Sequence, residues 1–149
     1  MTPEQIMSIA KFGAACALGL SAAGSAAGAG VAAFSSIGAW KKCYQQSKLA
    51  PFMLVAFIGA PLSQTIYGMI LMGFMTKAAL TATAAYHFIG IGIFSGLAIG
   101  LSAYFQGKAG AYGADALAET GKGFGNYLMA LGVIETVAIL VLIFSRNAL

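Results

Sequence analysis

Charge is scarce in this chain of 149 residues: only 8% of the positions are Asp, Glu, Lys or Arg. A water-soluble domain carries about 25%, so these residues cannot cover a surface that faces water on all sides. With 60% hydrophobic residues, lipid is the solvent that much of the chain expects. The two cysteines, Cys16 and Cys43, have no metal or redox spacing; Cys16 lies in an apolar run and Cys43 in a Lys-flanked stretch that reads as a loop. The single histidine, His87, has no nearby Cys, Asp or Glu, and reads as a polar residue at a helix end. Nor does the net charge of +4 point to nucleic acid. The eight basic residues are spread between hydrophobic segments and form no stripe, which suits positions at membrane boundaries. No cleavable leader is evident, because the first apolar run continues without a stop to Trp40.

The rare charges divide the chain. Phe12 to Trp40, Leu49 to Thr76 and Ala78 to Gly107 carry none, and Gly123 to Ser145 carries one, Glu135. A spanning helix needs about 20 apolar residues, and each run suffices. The expected fold is an all-α membrane protein of four transmembrane helices. The connections are expected at Lys41–Lys48, around Lys77 and at Lys108–Lys122. The lysine excess in the first and third places them in the cytoplasm and both termini outside.

The four runs alternate in character. The first and third are rich in glycine, with Gly24-x-x-x-Gly28 and Gly92-x-x-x-Gly96-x-x-x-Gly100, a spacing that lets helix backbones approach closely in lipid. The second and fourth carry bulky Leu, Ile, Phe, Met and Val. The expectation is two tightly packed inner helices and two outer helices facing lipid, as in a ring of hairpins; a compact four-helix bundle is the plainer alternative.

The halves also resemble each other. Gly19-Leu20-Ser21-Ala22 recurs as Gly100-Leu101-Ser102-Ala103, which sets Ser25 against Gln106, and Gln64-Thr65 matches Glu135-Thr136. The chain therefore reads as two tandem hairpins, residues 1–76 and 77–149. From Ser25 to Gln64 is 39 residues and from Gln106 to Glu135 is 29. The first hairpin is expected to reach further into the cytoplasm by about five residues on each arm, roughly 7 Å.

Of the two matched positions, one is Gln and the other Glu, so one ionisable site remains for two hairpins. Glu135 stands near the middle of its run, where a bare carboxylate costs several kcal/mol. A proton or a bound cation would neutralise it, and its occupancy then decides whether it can face hydrocarbon. The plainer alternative is a neutral Glu in a structural hydrogen bond. Other oxygens have the depth to join it: Gln64, Ser63 beside it, Tyr67 on the same face one turn on, and Gln106. Pro61 breaks the backbone ladder, which leaves the carbonyl of Ala60 free to turn toward the site. A carboxylate, two amides, a hydroxyl and a carbonyl describe a cage for a hard cation. Na⁺ fits best, since a monovalent ion cancels one carboxylate and leaves the loaded site neutral.

The stretch Pro61-Leu62-Ser63-Gln64-Thr65-Ile66-Tyr67-Gly68, the step Gln106-Gly107-Lys108 and Glu135-Thr136-Val137-Ala138-Ile139-Leu140 resemble the K subunit of bacterial V-type ATPases, the proteolipid with four helices and one carboxylate, in its sodium-carrying form. That resemblance implies Na⁺ held by Glu135, Gln64, Gln106, the Ser63 hydroxyl and the Ala60 carbonyl, with Tyr67 closing the site. Ser63 stands where the family has threonine, and Ala60 where it has leucine. It further implies a homomeric ring in the cell membrane, turning against a static subunit that offers an arginine, with its cytoplasmic hairpins on a central stalk. No nucleotide-binding motif is present, so ATP would be handled elsewhere. Lys108, two residues from Gln106, would either face the ring interior or snorkel to the cytoplasm. The rival readings are the same rotor carrying H⁺, a small four-span proton-coupled exporter, and a structural proteolipid that transports nothing.

Overall fold

The computed structural model describes residues 1–79 and 85–149. Four helices in it are long and apolar enough to cross a membrane: α1, Pro3–Gln45; α2, Leu54–Ala78; α3, Tyr86–Thr120; and α4, Phe124–Asn147. The chain is thus an all-helical, multi-pass membrane protein. Residues 80–84, which fall at the start of the third charge-free run, lie outside the described residues.

The helices outlast the charge-free runs, and the ends expected from charge are corrected accordingly. α1 continues through Lys41 and Lys42 to Gln45, so Cys43 is a buried helix residue rather than a loop thiol. α3 carries Lys108, Asp115 and Glu119 within the helix and stops only at Thr120. The third connection is then no more than residues 121–123, where Gly121 and Gly123 take φ of 68° and 86°, angles that glycine alone adopts without strain. The first connection is residues 46–53. The physical reason is length. At 1.5 Å per residue α1 is about 64 Å long and α3 about 52 Å, against a hydrocarbon core of about 30 Å. Charges mark where a helix leaves lipid, not where it ends. α2 and α4, at 25 and 24 residues, are close to a single membrane thickness.

The extra length of the first hairpin is also distributed differently from the expectation of equal arms. Ser25 lies 20 residues before the end of α1, whereas Gln106 lies 14 before the end of α3. On the returning arms the distances are nearly equal: Gln64 is 10 residues from the start of α2, and Glu135 is 11 from the start of α4. The surplus therefore sits in α1 and its loop.

α1 and α3 run parallel and touch backbone to backbone. A Cβ on Gly92 would collide with the backbone of Gly13, one on Gly24 with Gly100, and one on Gly107 with Gly28. The repeated small residues thus serve the close approach expected from their spacing. α4 lies at the other extreme: only Leu131 and Ala138 are buried along it, and its bulky side chains look outward. Two apolar clusters hold the four helices together. One gathers Leu71, Met75, Phe88 and Ile99. The other gathers Leu54, Phe57, Ala114, Leu117 and Leu131, with Phe57 edge-on to Phe124 at 5.6 Å. Between them runs a polar layer.

Candidate functional site

The polar layer starts from a break in α2. Its first part, Leu54–Gly59, gives way to a 3-10 turn at Ala60–Leu62, and the α-helix resumes at Ser63. Pro61 is the cause, since it has no N–H to offer the carbonyl one turn back and its ring crowds that turn. Because of the break, the Ala60 carbonyl accepts from the Ser63 backbone N–H and lies 3.1 Å from the Ser63 hydroxyl. That hydroxyl is also 3.1 Å from Oε1 of Gln64. Pro61, Gln64 and Gly68 occur at helical spacing and form the buried face of α2.

Gln64 is fully buried and Gln106 is 1% exposed. Gln64 Nε2 donates to Gln106 Oε1 at 2.8 Å. The two N–H groups of Gln106 Nε2 go to the Leu131 carbonyl at 3.1 Å and to Oε2 of Glu135 at 3.2 Å. Tyr67 donates its phenol to the other carboxylate oxygen, Oε1, at 2.6 Å. Both oxygens of Glu135 thus receive a donor, the pattern an ionised carboxylate accepts. Glu135 is half-buried at the junction of α2, α3 and α4, 11 residues after Phe124 and 12 before Asn147.

All six residues singled out from the sequence, Ala60, Ser63, Gln64, Tyr67, Gln106 and Glu135, therefore lie in one hydrogen-bonded chain that crosses from α2 through α3 to α4. The arrangement links five kinds of oxygen (carboxylate, amide, hydroxyl, phenol and backbone carbonyl) in one chain that ends on one negative charge. Such a set can hold a proton or a hard monovalent cation. Three neighbours were not singled out. Ser102 donates to the Ile134 carbonyl at 2.9 Å and pins α3 to α4 beside the carboxylate; the Leu131 carbonyl anchors Gln106. Among the described residues, Ser25 on α1 is buried with no partner for its hydroxyl; its match to Gln106 in the repeat is the signal that could have found it.

The two residues left open by the sequence take no part in this hydrogen-bonded chain. His87 is exposed in the first turn of α3, its ring against Phe88 at 4.1 Å. Lys108 is exposed on α3, its ammonium 5.7 Å from the centre of the Tyr104 ring.

Residues 89–145 match the family model of the ATP synthase C subunit. The matched stretch covers most of α3 and α4, including Gln106 and Glu135, but is little more than a third of the chain. A comparison with curated proteins finds no match.

Proposed function

We propose that the chain is an ion-carrying rotor subunit of a rotary ATPase, of the V-type proteolipid form, and that Glu135 carries Na⁺ across the membrane. The observation that carries this reading is the hydrogen-bonded chain that runs from Ser63 through Gln64 and Gln106 to one mid-depth carboxylate, which Tyr67 meets on its other oxygen. Support for the rotor comes from the match of the second hairpin to the ATP synthase C subunit, whose family supplies the ion-carrying rotor of rotary ATPases and assembles into homo-oligomeric rings. The four-helix form, with Gln64 in the first hairpin where the second has Glu135, supports the V-type assignment. A site for a proton alone requires only the carboxylate and a solvating donor. The additional amides, hydroxyl and carbonyl favour a cation.

The mechanism then follows from charge. With Na⁺ bound, the site is neutral and passes through lipid at small cost. Empty, the carboxylate is drawn to the cationic side chain of a static partner, releases its lipid-facing position, and reloads from the opposite side. In the loaded site Gln64 Oε1, Gln106 Oε1, the Ser63 hydroxyl and the Ala60 carbonyl complete the coordination begun by Glu135, and Tyr67 holds the free carboxylate oxygen. The lysines at the end of α1 and in the turn after α3 favour a cytoplasmic location for these ends, and with them for the stalk-binding surface; the membrane is the cell membrane.

The test is carbodiimide labelling of rings purified from membranes. The reagent attacks a protonated carboxyl group, so labelling should map to Glu135, vanish in Glu135→Gln, and be suppressed by millimolar Na⁺ in a pH-dependent competition. Labelling that Na⁺ fails to suppress at any pH would assign the rotor to protons. A detergent particle of two copies rather than a ring would favour the exporter.

A further inference from the structure

Among the described residues, the Ser25 and Ser36 hydroxyls are buried side-chain groups with no hydrogen-bond partner. A buried hydroxyl left unpaired costs on the order of 1–3 kcal/mol, and most such groups are paired in folded proteins. Ser25 is 1% exposed. Its place on α1 follows from its neighbours on the same face. Ser21 packs against Gly68 and Gly28 lies near the Pro61 ring. Ser25 falls between them on α1, as Gln64 falls between Gly68 and Pro61 on α2. The two helices run antiparallel, so Ser25 faces Gln64.

The internal duplication supports the same pairing independently. Ser25 corresponds to Gln106 and Gln64 to Glu135. In the second hairpin the corresponding pair is joined, Gln106 Nε2 to Glu135 Oε2 at 3.2 Å. In the first hairpin the two positions hold a hydroxyl and an amide. Gln64 Nε2 uses one N–H on Gln106 Oε1, and an amide nitrogen has two to give.

We infer that Ser25 is a positioning residue of the ion site, which takes the second N–H of Gln64 and holds the Gln64 carbonyl toward Glu135 when a cation draws the Gln106 carbonyl onto itself. The inference rests on the cation-binding reading proposed above. Its physical content is a change of partner. The Gln64–Gln106 bond uses the Gln106 oxygen, and a cation engages that same oxygen. A Gln64 amide with no other acceptor would be free to turn its nitrogen toward the ion. With oxygen inward, the Gln64 carbonyl faces the cation while Ser25 accepts its outer N–H; turned over, the hydroxyl could donate to the amide oxygen, but the N–H would face the cation.

The experiment compares Na⁺ protection of Glu135 from carbodiimide in assembled rings of the native chain, Ser25→Ala, Gln64→Ala and the double variant. Ser25→Ala is expected to raise the half-protecting Na⁺ concentration roughly three- to tenfold, the scale of one hydrogen bond. The pH profile of labelling without Na⁺ should not move. Ring melting without Na⁺ should be unchanged or higher, because the variant then removes an unpaired hydroxyl. In the Gln64→Ala background, Ser25→Ala should have no further effect, since its action passes through Gln64. Unchanged protection in Ser25→Ala, or an effect that survives loss of the Gln64 side chain, would overturn the role of Ser25 and leave the cation site standing. Absence of Na⁺ protection in the native ring would overturn both.

Discussion

Glu135 is bonded from two sides, by Tyr67 at 2.6 Å and Gln106 at 3.2 Å, and these contacts differ in kind. Gln106 is held in place by the Leu131 carbonyl, whereas the Tyr67 phenol donates to the carboxylate beside the Ser63 hydroxyl. Tyr67→Phe removes a donor to a charged group and keeps the ring that fills the space. A bond of this sort contributes about 1.5–3 kcal/mol, so on the proposed function Na⁺ should bind about tenfold more weakly or worse, read as a shift in the Na⁺ titration of carbodiimide labelling. The side chains that make this cluster were legible in the sequence because polar residues are rare enough in the spans for each to stand out. Ser25 was harder to recognise. Serine is common along α1, and nothing in the chain alone says that Ser21 satisfies itself on the Ala17 carbonyl while Ser25 has no such bond.

The contact between α1 and α3 depends on the absence of side chains. Gly107→Ala would drive a Cβ into the Gly28 backbone, and neither backbone can yield without separating the helices. Overpacking of this kind costs typically 1–3 kcal/mol, occasionally more. Gly19→Ala meets nothing within the chain and replaces glycine with a better helix former. Thermal unfolding of the two variants in detergent should therefore diverge, with Gly107→Ala melting lower and Gly19→Ala at or near the native temperature in the monomeric chain. The glycine spacing foretold that these helices approach closely. It did not foretell the ends of the helices, because hydrophobicity records contact with lipid, and a helix that leaves the membrane keeps its backbone hydrogen bonds without any apolar signature. The same blindness concealed the uneven arms of the first hairpin, whose extra residues continue α1 and lengthen its loop.

Across the molecule, charge is confined to the two ends, apart from Glu135 and Lys108. At one end Lys42 joins α1 to α3 through Asp115 at 3.2 Å and Glu119 at 3.4 Å. All three side chains are at least half exposed, so water and salt screen the pairing. Lys42→Ala should leave the melting temperature nearly unchanged, and any difference should shrink further as salt is raised. The apolar sides of the molecule behave otherwise. Phe34 and Phe94, on α1 and α3, are about three-quarters exposed in the isolated chain, and surfaces of that kind demand lipid or another copy of the chain. The four-span architecture was readable because the bilayer imposes so few solutions on a backbone. How copies meet was not readable, since lipid and a neighbouring apolar helix favour the same residues.

The pairing of one acid with one amide across two hairpins has a consequence for gearing. In the rotor proposed above, a wheel of such units would have one tooth for every four helices. At equal girth it moves half as many ions per revolution as a wheel with an acid in every hairpin. The work of one turn is then divided among fewer passengers, and each can be lifted against a steeper gradient. In that rotor, Gln64→Glu would give a wheel of higher gear, which delivers more ions per turn and stalls sooner.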